Sequence, residues 1–279
     1  MKGKIALITG SNAGIGKATA LGLAGRGARV VMVCRSRERG EAARSEIARK
    51  TGGEVDLLIA DLSSQREVRL LAGSIVETYP RLDVLVLNAG VFTRVRQETE
   101  DGLEMQFGVN HAAPYLLAYL ILDLLRRSAP SRIVVVSSDA HRQGSIDFDD
   151  LQKTRRYSGI SAYSQSKLCN VLFTRELARR LDGSGVTVNA LHPGVIGTNL
   201  IYDFLPIGRL RPLRLLAPVL KRPRHGARTP VYLASSEDVE GVSGLYFRDT
   251  KPVEPSESAR DPALAERLWE ETGRLVGLA

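Results

Sequence analysis

The chain has 279 residues, 43% of them hydrophobic and 25% charged, two cysteines (Cys34 and Cys169) and a formal net charge of +8. These values exclude a disordered chain, a disulfide scaffold and a Cys-rich zinc module, and they predict a reducing, cytoplasmic setting. The longest apolar stretch, Ala112 to Leu125, is cut by Asp123 and falls short of the ~18 residues that a membrane span needs.

The chain opens on the apolar run Ile5–Thr9, too short for a signal-peptide core and apolar on both faces like a buried parallel strand. Thr9-Gly10-Ser11-Asn12-Ala13-Gly14-Ile15-Gly16 follows directly and leads into a segment at helical spacing, Ile15–Arg26. Glycines let the chain turn tightly and let a ligand approach the backbone. The free N–H groups at a helix start favour a pyrophosphate. The spacing is G-x-x-x-G-x-G, and its strand-loop-helix setting is what gives it weight. The second predicted strand, Arg29–Val33, ends at Cys34-Arg35-Ser36-Arg37. A site for NAD would usually place a carboxylate there, on the ribose 2′-hydroxyl. An arginine in that place can instead grip a 2′-phosphate.

The rhythm continues with helix Ser36–Lys50, strand Val55–Ala60, Asp61-Leu62, helix Ser64–Thr78, strand Asp83–Leu87 and Asn88-Ala89-Gly90-Val91. Taken singly, Asp61 reads as a helix N-cap and Asn88 as a turn former. One long helix is predicted over Gly102–Arg127, then strands Arg132–Val136, Val186–Leu191 and Leu245–Phe247, with a helix over Tyr163–Leu181 between the first two. This βαβ alternation predicts a doubly wound parallel sheet with helices on both faces. Two segments interrupt it, Ala140–Ile160 and the Pro-, Arg- and Leu-rich Ile201–Pro223. Each follows the C-terminal end of a predicted strand, where such sheets bind ligands.

The strongest chemical signal is Tyr163-x-x-x-Lys167 with Ser138 upstream. Residues four apart share a helix face. The lysine is expected to favour phenolate and lower the tyrosine pKa, which fits the phenol for general acid–base work. Ser138, at the end of a strand, can hold a carbonyl oxygen beside it. His111, His141, His192 and His225 show no metal-ligand spacing, so no metal is expected. Cys169 reads as core.

Together these residues resemble the short-chain dehydrogenase/reductase family over nearly the whole chain. Ser137-Ser138-x-x-His141, the long insert before Tyr163, and Ser166-Lys167-Leu168-Cys169-Asn170 with the residues after it resemble its retinol-dehydrogenase-like branch. The resemblance implies a single three-layer Rossmann domain over 1–279, seven parallel strands in the order 3-2-1-4-5-6-7. It implies an oxidoreductase moving a hydride between nicotinamide and a carbonyl/alcohol pair, with NADP(H) preferred over NAD(H). Tyr163 is then the proton donor or acceptor, and Lys167 binds the nicotinamide ribose and tunes Tyr163. Ser138, rather than Ser137, orients the carbonyl, and Asn110 supports a proton-relay water. Cofactor contacts are expected from Gly10, Ser11, Asn12, Gly14, Ile15, Gly16, Arg35, Asp61, Leu62, Asn88, Ala89, Gly90, Tyr163, Lys167, Pro193, Gly194, Val195 and Thr198. A homodimer or homotetramer is implied as well. Many relatives carry an N-terminal membrane anchor. This chain begins at its first strand, which counts against membrane residence and against a retinoid.

Seven cations and no acid lie between Phe204 and Ser236. The segment 201–223 is expected to be a lid over an apolar substrate, a peripheral membrane contact, or a structural piece. No nucleic-acid-binding motif accompanies the charge. Two rival readings stay open: a non-catalytic NADP-binding regulator, and a carbon–carbon double-bond reductase of the protochlorophyllide-reductase-like type.

Overall fold

The computed structural model describes residues 1–194 and 223–278. The strands are β1 (Ile5–Thr9), β2 (Arg29–Cys34), β3 (Val55–Ile59), β4 (Val84–Leu87), β5 (Ser131–Val136), β6 (Val186–His192), β7 (Tyr246–Arg248) and β8 (Lys251–Pro252). The helices are α1 (Gly14–Ala24), α2 (Arg37–Thr51), α3 (Gln65–Thr78), α4 (Met105–Phe107), α5 (Ala113–Leu120), α6 (Leu122–Arg127), α7 (Gly159–Arg180), α8 (Pro223–Gly226), α9 (Arg228–Ser235) and α10 (Pro262–Leu275). Among the described residues the sheet has eight strands, ordered β3-β2-β1-β4-β5-β6-β7-β8. The first seven run parallel, and β8 returns antiparallel to β7.

Side chains along a strand alternate between faces, and here each face has its own core. Ile5, Leu7, Val31, Val33, Ile133 and Val135 point into the layer that holds α3, α5, α7 and α10. Ala6, Ile8, Val30, Met32, Val134 and Val136 point into the layer that holds α1, α2 and α9. Each large side chain buried this way contributes roughly 1.5–3 kcal/mol. Because both faces are covered, the strands read as continuous apolar runs. No described helix is long and apolar enough to cross a membrane.

The predicted order 3-2-1-4-5-6-7 holds, with β8 added at the edge. The predicted helix over Gly102–Arg127 does not form as one piece. It breaks into α4, a π-helical turn at Gly108–Ala112, α5 and α6. Pro114 has no N–H to give the carbonyl four residues back, that of Asn110, so the regular α ladder cannot run through. α7 begins at Gly159, one turn before the predicted start, and sets Tyr163 and Lys167 on its second and third turns. Asp61 is not the cap of α3. Ser64 is, accepting the Glu67 N–H, while Asp61 accepts from the N–H and hydroxyl of Ser63. The Ile201–Pro223 segment, apart from its last residue, lies outside the described residues, as do Val195 and Thr198.

Candidate active site

The strand order reverses direction between β1 and β4, and a cleft of 460 Å³ opens over the C-terminal ends of the strands there. A larger depression of 880 Å³ lies between α5, α7 and α10 and carries none of the candidate site residues. The glycine loop floors one end of the cleft. Gly10 sits at φ +67°, and a Cβ on it would come 2.9 Å from the Ala89 Cα. A Cβ on Gly16 would strike the Gly10 carbonyl oxygen and come 2.5 Å from Asn88 Nδ2. Only glycine fits either place. The cradle so formed exposes backbone at the start of α1, which suits the pyrophosphate of a dinucleotide.

Asn88 is more than a turn former. Its Nδ2 donates to Thr9 O at 2.8 Å and to Gly10 O at 3.3 Å, and its N–H, with that of Ala89, donates to Thr9 Oγ1. The loop after β4 thereby braces the loop after β1. Asn12, Gly14, Ile15, Asp61, Leu62, Ala89, Gly90 and Pro193 line the cleft as well. Ser11 does not; its hydroxyl turns inward and donates to Ile8 O at 2.9 Å. Gly194 is described but lines no part of the cleft.

At the outer end, Arg35 Nη1 lies 3.8 Å from Asp61 Oδ2, with its side chain 67% exposed. Arg39 lines the same end. The sequence reading missed it: Arg35 precedes the N-cap of α2, so no helical spacing ties the two residues together.

At the inner end, α7 presents Tyr163 and Lys167 to the cleft. Ser138 lies beside the Tyr163 phenol and draws its pKa down, while the Ser138 Oγ accepts the Ala140 N–H at 3.2 Å. Ser137 lines the cleft and Ser138 is not among its lining residues, but the Ser137 Oγ is spent: it donates to the Lys167 carbonyl at 2.7 Å and ties α7 to the end of β5. Lys167 Nζ donates to Val136 O at 3.1 Å and lies 5.5 Å from the centre of the Tyr163 ring. Burial pushes the phenol up to about 12, against a smaller downward pull from Ser138. Burial also pushes the Lys167 ammonium down to about 8. The expected depression of the tyrosine pKa is thus reversed in the protein alone, because loss of water outweighs the pull of Ser138.

Asn110 lies under the cleft, in the π-helical turn. Its Oδ1 accepts the Val91 N–H at 2.7 Å, and its Nδ2 donates to Val91 O and Ser166 Oγ, each at 3.0 Å. The whole amide is therefore spent on holding the loop after β4 against α7. Among the described residues no cluster of three or more His, Cys, Asp or Glu could hold a metal ion.

A model of the short chain dehydrogenase family matches residues 4–204. Retinol dehydrogenase 14 of Homo sapiens is 48% identical over 295 residues, spanning 100% of this chain and 88% of that protein. Retinol dehydrogenase 12 of Homo sapiens is 46% identical, spanning 100% of this chain and 88% of that protein. Among solved structures, an uncharacterized protein from Mycobacterium paratuberculosis superposes with a TM-score of 0.81 at 36% identity, covering 99% of this chain and 94% of that one. The Pseudomonas aeruginosa RhlG/NADP active-site complex superposes with a TM-score of 0.73 at 27% identity, covering 95% and 97%. With the glycine cradle, the strand order and the Ser138–Tyr163–Lys167 group on one fold, the chain belongs to the short-chain dehydrogenase/reductase family, on its retinol-dehydrogenase-like side.

Proposed function

We propose that this alcohol/carbonyl oxidoreductase uses NADP(H) and acts on an apolar carbonyl compound or the corresponding alcohol. The observation that carries the reading is the pairing of Tyr163 with Lys167, with Ser138 beside the phenol, at one end of a cleft whose other end holds Arg35 and Arg39. The apolar substrate is supported by the relatives that are called retinol dehydrogenases. The small number of cysteines supports a reducing compartment, and we assign the protein to the cytoplasm on that ground.

The residues fit a dinucleotide. Gly10, Gly14 and Gly16 would hold its pyrophosphate, Asp61 and Leu62 its adenine end, and Asn88, Ala89, Gly90 and Pro193 its middle and nicotinamide end. When bound, the nicotinamide supplies or accepts the hydride. The chain supplies the proton. In reduction, the Ser138 and Tyr163 hydroxyls hold the carbonyl oxygen, and Tyr163 Oη gives its proton to that oxygen; oxidation is the reverse. A phenol held near 12 is protonated at neutral pH, which suits the donor role. Lys167 would hold the nicotinamide ribose. Asn110 would support a relay water through its main chain, a role consistent with Pro114 giving its carbonyl no N–H and with the side-chain amide being fully used.

Cofactor choice is the direct test. NADPH is expected to bind more tightly than NADH by roughly 1.5–3 kcal/mol, the worth of a charged hydrogen bond, or on the order of 10- to 100-fold in Kd. Arg35→Ala should erase most of that difference and leave NADH affinity unchanged. Fluorescence titration of both cofactors on both proteins measures it. Equal affinities in the unmodified protein would refute the NADP(H) assignment.

A further inference from the structure

We propose that His141 and His192 are positioning residues that clamp the peptide group between Ser138 and Asp139 from both ends, and so aim the Ser138 hydroxyl at Tyr163. The proposal rests on reading Ser138 as the group that orients the carbonyl. Ser138 lies past the end of β5, beyond the last ladder bond, Ser137 N–H to Leu191 O at 2.8 Å. The sheet therefore does not fix its peptide plane; the two histidines do, together with the turn that the Ser138 hydroxyl caps by accepting the Ala140 N–H at 3.2 Å. The Ser138 carbonyl oxygen accepts His141 Nδ1–H at 2.7 Å and the His141 backbone N–H at 3.1 Å. On the other side of the same peptide, the Asp139 N–H donates to His192 Nδ1 at 3.2 Å.

These partners dictate opposite tautomers. His141 Nδ1 faces a carbonyl and must carry hydrogen, while its Nε2 accepts the Ser256 N–H at 3.1 Å and must be bare. His192 Nδ1 accepts an N–H and must be bare, so its hydrogen sits on Nε2, 3.5 Å from Asp139 Oδ2. Each ring works only when neutral. A second proton on either one would turn its accepting nitrogen into a donor pointed at another N–H.

The surroundings keep both rings neutral. The groups facing them are Asp139, Arg142, Tyr246, Arg248 and Asp249, together with each other. Among the described residues Asp139 is the carboxylate paired with His192, but Arg248 Nη2 at 2.5 Å and the Tyr246 hydroxyl at 3.2 Å already engage it. The Tyr246 ring packs edge-on against His141 with centres 4.7 Å apart. Burial holds both imidazoles below their ordinary value. Acid therefore releases the clamp, and alkali leaves it closed.

The test uses the full chain with NADPH and all-trans-retinal. His141→Leu and His192→Leu should each lower kcat, by up to on the order of 10²-fold, as a misplaced catalytic group does, with NADPH affinity unchanged. His141→Asn keeps a donor at the Nδ1 position and His192→Asn keeps an acceptor there, so each should recover most of the loss. In the unmodified enzyme kcat should fall toward acid with a midpoint below 6.5, the value of a free imidazole. That fall should be absent when both histidines are asparagine. Asparagine variants no better than leucine ones, or an acid limb that survives the double replacement, would overturn the proposal. Nitrogen-15 NMR of the four histidines reads the clamp without turnover: hydrogen on Nδ1 of His141 and on Nε2 of His192 supports it, and the reverse tautomer at either overturns it. If no aldehyde or ketone is reduced, the functional reading falls by itself, and the tautomers still decide the clamp.

Discussion

Tyr163→Phe is expected to lower kcat by at least about 10²-fold while leaving NADPH affinity and thermal stability almost unchanged. The loss is that of a positioned general acid and amounts to roughly 2.7 kcal/mol in the barrier. The replacement is clean because the ring itself is held by packing. Tyr163 is 6% exposed, and Phe92 lies edge-on against it with centres 6.0 Å apart. Only the hydroxyl beside Ser138 is removed. Steady-state rates with an aldehyde panel, read beside fluorescence titration of NADPH, separate the two effects. A variant that turns over like the unmodified enzyme would exclude Tyr163 as the acid. The pH dependence gives a second reading. With the phenol pushed up to about 12, Tyr163 stays protonated through neutral pH, so reduction should not be limited by its ionisation there.

The sequence pattern made the sheet legible because both of its faces are buried. Continuous apolar runs such as Ile5–Thr9 and Arg132–Val136 mark strands buried on both faces, the helical spacing between them marks a parallel sheet, and the order of the strands came from the family resemblance. The glycine loop and the Tyr163–Lys167 pair were legible for a related reason. Each depends on local geometry, a turn that admits no Cβ or a single helix face, and local geometry is written in local spacing. The readings that failed depend on contacts distant in the chain. Gly102–Arg127 has the apolar spacing of one helix, but Pro114 and the pull of Asn110 toward Val91 open a π turn within it. Asp61 looks like a cap until Ser64 is seen to do that work. Arg39 becomes a cleft residue only because α2 starts beside β3. The direction of the Tyr163 pKa shift was misjudged because spacing reveals the neighbouring cation and says nothing of the lost water. The histidines beside Ser138 were visible as residues, yet their partners, Ser256 and Asp139, meet them only in the folded chain.

Lys167→Met should abolish useful turnover and at the same time stabilise the cofactor-free protein at pH 7. The lysine is 3% exposed, and burial brings its ammonium down to about 8 from 10.5. At pH 7 it is charged in both the folded and unfolded chain, and the folded state bears the desolvation cost. Between pH 8 and 10.5 the unfolded chain still holds the proton that the folded chain has released. Stability therefore rises with pH across that window, by up to about 3 kcal/mol. Methionine has similar length and no charge, so the variant should start about that much higher at pH 7 and show no such rise. Its loss leaves no orphaned carbonyl, since Val136 O also accepts from Asn170 Nδ2 at 3.4 Å. Cofactor should pull the other way. Removing charge-assisted hydrogen bonds to the ribose would weaken NADPH binding by about 1.5–3 kcal/mol, so ligand should stabilise the unmodified protein more than the variant. Thermal melts at pH 7 and pH 9.5, with and without NADPH, measure all four terms. If the two proteins gain equally between those pH values, the desolvation cost does not sit on Lys167. If NADPH raises both melting temperatures alike, Lys167 does not hold the ribose.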